Sequence, residues 1–79
     1  MMLTETLQMK KNSFKKTLTP RELEVLKFMV QGKSNVQIAK ILYISPHTAK
    51  AHVGHILEKL NVHDRVDAVV IAIKSGIIK

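Results

Sequence analysis

The stretch from residue 46 to residue 55 concentrates side chains that suit contacts with nucleic acid. Lys50 offers a cation to the acceptor atoms of guanine, and the Ala51 methyl suits the methyl group of thymine. Gly54 has no side chain, which permits a close approach to a DNA backbone. By residue type, the candidate DNA-binding residues are His47, Thr48, Lys50, Ala51 and Gly54, with Lys33 earlier in the chain. The solvated side of an ordinary amphipathic helix would carry similar residues.

The net charge supports nucleic acid as the partner. The chain carries 13 Lys and Arg against 6 Asp and Glu, a formal charge of +7 in 79 residues. A small protein with this excess is attracted to polyanions, although surface charge also serves solubility. Charge alone therefore leaves both explanations open.

Composition argues against most other functions. A chain this short has little room for an enzyme cleft, and the absence of cysteine excludes thiolate metal sites and cysteine nucleophiles. His52 and His55 have metal-ligand spacing, but only His47 or Glu58 could add a third ligand. We expect no enzymatic activity, metal, cofactor or small-molecule ligand. With no apolar run near the roughly 20 residues of a membrane span and no signal peptide, we expect a cytoplasmic chain.

Four helix starts can be placed from capping patterns. Thr19 and Ser34 each have a Glu or Gln three residues later, Ser45 precedes a proline, and Asp64 precedes the last apolar stretch. We predict an all-α fold of four helices, with Gly32 and Gly76 as terminators and the third helix running from 46 to about 60. The short turn at residues 43 and 44 makes the second and third helices a helix-turn-helix.

The first 18 residues differ from the rest of the chain. Four lysines fall between residues 10 and 16, and the apolar residues follow no sustained period. We predict a flexible basic tail or linker over residues 1–18 and one folded domain over residues 19–79.

The fourth helix predicts a homodimer. Ala68, Val69 and Ala72 fall in one sector of this helix, and an adjoining sector would stay exposed unless another subunit covers it. The residues of the predicted dimer interface are Val66, Val70 and Ile73. The basic tail, folded back, is an alternative cover. Arg65 lies in the same apolar arc, and we predict a structural ion pair with a carboxylate of the first helix, Glu22 or else Glu24.

Several segments resemble the LuxR/GerE family of DNA-binding domains. They are LTPRELEVL, QGKSNVQIAKIL, SPHTAKAHVGHILEKL and HDRVDAVVIA, at the spacings of that family. The resemblance implies a four-helix fold whose third helix reads DNA and whose fourth makes the dimer contact. It implies base contacts for Lys50 and Ala51 and phosphate contacts near Thr48 and His52. Gly54 replaces a long polar or basic residue of several relatives, so their base preference does not carry over.

We therefore expect a sequence-specific transcription regulator that binds double-stranded promoter DNA as a homodimer, with RNA polymerase as a further candidate partner. Domains of this family usually follow a phosphoacceptor receiver, as in two-component response regulators, or a ligand-binding domain, and some regulators stand alone. Two alternatives stay open. One is a promoter-binding module like that of a sigma factor, and the other is a protein-interaction module that binds no DNA.

Overall fold

A computed structural model describes residues 18–78, in which all regular secondary structure is α-helical. The helices are α1 (Pro20–Val30), α2 (Asn35–Leu42), α3 (Pro46–Lys59) and α4 (Arg65–Lys74). The predicted all-α, four-helix architecture is confirmed. None of these helices has the length and apolar character needed to cross a membrane.

The boundary between tail and domain needs a correction of one residue. The predicted tail lies outside the described residues except for Leu18, which is only 4% exposed and belongs to the hydrophobic core. The packed domain therefore includes Leu18, because an apolar side chain next to the first helix is stabilised by burial even outside the helix itself.

Local hydrogen bonds explain why the helices begin where they do. Thr19 Oγ1 accepts from the Glu22 amide at 3.1 Å, while Glu22 Oε1 accepts from the Thr19 amide at 2.9 Å. Ser34 and Gln37 form the same reciprocal pair at 3.2 and 2.8 Å. Each capping box satisfies two backbone groups that the helix itself leaves unpaired.

The connections between α1, α2 and α3 are short because their backbones turn sharply. Gly32 ends the α1 region at φ +83°, a conformation that costs glycine little. Tyr43 ends α2 at φ 57°, which is unfavourable for a residue with a side chain. The Ile44 amide donates to the Ala39 carbonyl at 3.0 Å and helps to hold this turn. The chain can then enter α3 two residues later, where Ser45 Oγ caps the Thr48 amide at 3.0 Å.

The core lies between all four helices, and α3 packs against each of the other three. Its largest fully buried side chains are Leu26, Ile38, Ile56, Leu60 and Val25. Alanines at 68 and 72 on α4 are completely buried, and their small size lets this helix approach the core closely. One side of α3 is thus fixed in the core, and the opposite side is left exposed to a partner.

Candidate nucleic-acid interface

One outward face of α3 combines four of the predicted DNA-binding residues. At 100° per residue, His47, Lys50, Ala51 and Gly54 fall within a sector of about 100°, and all four are exposed. The opposite side of the helix is anchored in the core through residues that are at most 7% exposed: Ala49, Val53 and Ile56. The rigid attachment of one side fixes the orientation of the other. We call the four outward residues the α3 face.

Thr48 and His52 lie on the flank of the α3 face and are half-buried. The Ser45 hydroxyl donates to Thr48 Oγ1 at 2.9 Å, and the Thr48 amide donates to Ser45 Oγ. Thr48 Oγ1 therefore acts as an acceptor within the cap, and its own proton stays available for an acceptor outside the domain. This geometry suits a hydrogen bond to a phosphate oxygen near the start of the helix.

Gly54 has no packing role within the domain. A β-carbon added there would have no neighbour within 4 Å. Glycine inside a helix is less favourable than alanine by about 1 kcal/mol, so this glycine destabilises α3 without relieving a clash. Its effect on the α3 face is to leave a gap one turn after Lys50.

Lys33, the remaining predicted contact, lies on a different element, the turn between α1 and α2. Its side chain is half-buried. Its amide donates to the Phe28 carbonyl at 2.9 Å. The structure thus groups the α3 residues on one surface and places Lys33 at the entrance of the helix-turn-helix.

The predicted ion pair between Arg65 and Glu22 is wrong. Glu22 pairs instead with Lys59, whose Nζ lies 2.7 Å from Glu22 Oε1. Arg65 Nη1 donates to Asn35 Oδ1 at 2.8 Å, and its Nη2 donates to the Lys33 carbonyl. A half-buried guanidinium needs hydrogen-bond acceptors but not a negatively charged partner, and two neutral oxygens, one on the α1–α2 turn and one on the first residue of α2, meet that need.

The Glu22–Lys59 pair was missed because its partners are 37 residues apart and no local pattern joins them. Burial by itself raises the pKa of Glu22, but the hydrogen bond and charge of Lys59 and the Thr19 amide outweigh it, so the net pKa lies below the ordinary 4.5. Within residues 18–78 this is the one ion pair with atoms closer than 4 Å. Lys50 therefore has no carboxylate partner there, and its charge is available to an anion.

One exposed sector of α4 is apolar, as the sequence predicts. Val66 is 70% exposed, Val70 43% and Ile73 56%. The three residues lie within about 60° of one another around the helix. An open groove of about 340 Å³ adjoins them and is lined by Met29, Val30, Val66 and Val70 among others. No cluster of three or more potential metal ligands occurs within the described part of the chain.

Comparison with known proteins gives a consistent result. Residues 16–72 match the family model described as bacterial regulatory proteins, luxR family. The chain is 55% identical over 62 residues to the transcriptional regulatory protein DegU of Brevibacillus brevis, covering 78% of this chain and 26% of that protein. It is 52% identical over 54 residues to the nitrate/nitrite response regulator protein NarP of Escherichia coli, covering 68% of this chain and 25% of that protein.

A third relative is matched over almost the whole chain. The uncharacterized transcriptional regulatory protein YxjL of Bacillus subtilis is 43% identical, over 98% of this chain and 37% of that protein. The chain thus spans between a quarter and little more than a third of the length of these relatives.

Proposed function

This chain belongs to the luxR family of bacterial regulatory proteins, and from this we propose that its folded domain binds promoter DNA as a homodimer and regulates transcription. The relatives named above are transcriptional regulators, and one is a nitrate/nitrite response regulator. We further propose that the domain is the DNA-binding part of such a response regulator.

The observation that carries the proposal is the α3 face. Its four residues are exposed, while the opposite side of the helix is fixed in the core. A helix presented in this way fits the major groove, where base edges display distinct donors, acceptors and methyl groups. In this arrangement Lys50 donates to guanine O6 or N7, and Ala51 contacts a thymine methyl.

Phosphate contacts orient the helix in the groove but carry no sequence information themselves. Thr48 has a hydroxyl proton to donate, and His47 and His52 lie in the N-terminal half of α3. Lys33 adds a cation from the α1–α2 turn. These four residues hold the domain on the DNA backbone while Lys50 and Ala51 select the bases.

Gly54 leaves a gap on the α3 face, one turn after Lys50. A base opposite the gap receives no contact from position 54, so selectivity concentrates on the bases opposite Lys50 and Ala51. The absent side chain also permits a closer approach of α3 to the DNA.

The dimer contact is the apolar stripe of Val66, Val70 and Ile73 on α4. Aliphatic side chains that are 43–70% exposed favour burial against a second copy, and fully burying such a side chain contributes about 1.5–3 kcal/mol. A two-fold axis that passes between two copies of this stripe would bring the same stripe from each subunit together. Two α3 faces would then read two half-sites.

The test is a selection of bound duplexes from a random DNA pool, followed by titration of the selected duplex and of a scrambled duplex at near-physiological salt. We expect a two-fold symmetric motif that binds at least about 10³-fold more tightly than scrambled DNA. An enriched motif without symmetry would contradict the dimer. Weak binding to every duplex, without enrichment, would contradict the sequence-reading role and favour a protein partner.

A further inference from the structure

The guanidinium of Arg65 joins α4 to the turn between α1 and α2. Its Nη1 donates to Asn35 Oδ1 at 2.8 Å, and its Nη2 donates to the backbone carbonyl of Lys33. These acceptors are 30 and 32 residues away along the chain, and both contacts are partly buried. One side chain thus holds both the turn that leads into the helix-turn-helix and the first residue of α2.

The backbone of Lys33 is held from both sides. Its amide donates to the Phe28 carbonyl of α1 at 2.9 Å, and its carbonyl accepts from Arg65 of α4. Gly32, at φ +83°, makes the preceding backbone turn possible. Without Arg65 the turn would keep its attachment to α1 and lose its attachment to α4.

The electrostatics of α4 itself do not explain why an arginine occupies position 65. Arg65 is the first residue of α4, where the helix dipole disfavours a cation. The distant hydrogen bonds offset this penalty. A lysine carries the same charge but lacks the planar fork that meets two acceptors at once.

We propose that Arg65 is a positioning residue for DNA binding, which holds the α1–α2 turn so that Lys33 meets the phosphate backbone while the α3 face reads bases. This inference rests on the proposed function and adds a residue that does not itself contact DNA. The first helix of a helix-turn-helix crosses the DNA backbone, and Asn35 is the first residue of α2. The hydrogen bonds of Arg65 therefore fix the part of the domain that comes nearest to the phosphates beside α3.

The experiment compares Arg65→Met, Lys33→Ala and the double variant with the wild type on the selected duplex, over salt concentrations from 50 to 200 mM. Arg21→Met is the charge-matched control. Arg21 is exposed and is next to Glu22, which pairs with Lys59. Lys59 is the last residue of α3 and lies about 20 Å along the helix from Pro46, the first. Circular dichroism and urea unfolding establish that each variant is folded at the assay temperature.

Log affinity falls with log salt, and each lost phosphate contact makes this negative slope shallower by about 0.9. We expect Lys33→Ala to make the slope shallower by this amount, Arg65→Met to make it shallower by a similar amount, and the double variant to add little more. Arg21→Met should leave the slope closer to that of the wild type. Arg65→Lys should bind with intermediate affinity, and it replaces Arg65→Met if that variant does not fold.

A folded variant at position 65 with wild-type affinity and slope would overturn the inference. So would effects of Arg65 and Lys33 that simply add, because Arg65 would then not act through Lys33. In both cases the wild type still selects its duplex, so the proposed function stands. A wild type without any preferred duplex would overturn the proposed function and this inference together.

Discussion

Replacement of Glu22 tests how α1 is joined to the far end of α3. Glu22 Oε1 accepts from the Thr19 amide at 2.9 Å and from Lys59 Nζ at 2.7 Å. Its side chain is only 5% exposed and that of Lys59 is 29% exposed. We expect Glu22→Ala to lower the free energy of unfolding substantially and Glu22→Gln to lower it less.

The magnitude follows from the two hydrogen bonds. A hydrogen bond to a charged group contributes about 1.5–3 kcal/mol, and a capping interaction contributes about 1 kcal/mol. Because Lys59 can regain some hydration, Glu22→Ala should destabilise the domain by about 2–3 kcal/mol. Glutamine keeps a neutral acceptor for Thr19 and Lys59, so Glu22→Gln should cost about 1 kcal/mol.

The pH dependence has a definite sign. The pKa of Glu22 in the folded domain lies below the ordinary value of 4.5 that applies to the unfolded chain. The stabilising contribution of the ionised carboxylate is therefore fully present above pH 4.5 and is lost as the pH falls through the folded pKa. Glu22→Gln cannot titrate, so its deficit relative to the wild type should shrink below pH 4.5.

The assay is urea unfolding followed by circular dichroism, at neutral pH and in steps through acid pH. Glu24→Gln is the matched control, because Glu24 is exposed on the same helix, and its effect should stay within about 0.5 kcal/mol. The reasoning would be refuted by equal effects at positions 22 and 24, or by a Glu22→Gln deficit that does not change with pH.

Three further predictions concern the DNA and dimer surfaces. Lys50→Ala should lose about 1–3 kcal/mol of binding on the selected duplex, with relaxed base choice; an equal loss on scrambled DNA would contradict base reading. Val70→Asp should weaken self-association in sedimentation without unfolding the monomer, while Ile41→Asp, equally exposed at 43% but on α2, should not; a monomeric wild type, even on DNA, would contradict the interface. Gly54→Ala should raise the free energy of unfolding by about 1 kcal/mol, since its β-carbon meets nothing within 4 Å, and no gain in urea unfolding would contradict that reasoning.

Much of the fold could be predicted because its signals are local. A cap at Thr19, Ser34, Ser45 or Asp64 acts on an amide three residues later, so residue types alone indicate where a helix begins. The period of 3.6 residues likewise separates the buried side of α3 from its exposed face. The family resemblance then joins that face to DNA.

The end of α2 shows a limit of local reasoning. Tyr43 adopts a left-handed conformation, φ 57°, that its residue type does not favour. The turn joins α2 to α3, and these two helices pack against each other. A sequence pattern can indicate that a turn is short, but not which residue takes its unfavourable angle.

The sequence by itself therefore determined the four helices, their caps, the outward residues of α3 and the apolar stripe of α4, because each depends on neighbours within a few positions. Only the tertiary structure decided that Glu22 pairs with Lys59, that Arg65 holds the α1–α2 turn, and that Leu18 joins the core. These contacts join residues that are distant in sequence or lie outside any helix. They depend on how the helices pack, which no local period or cap specifies.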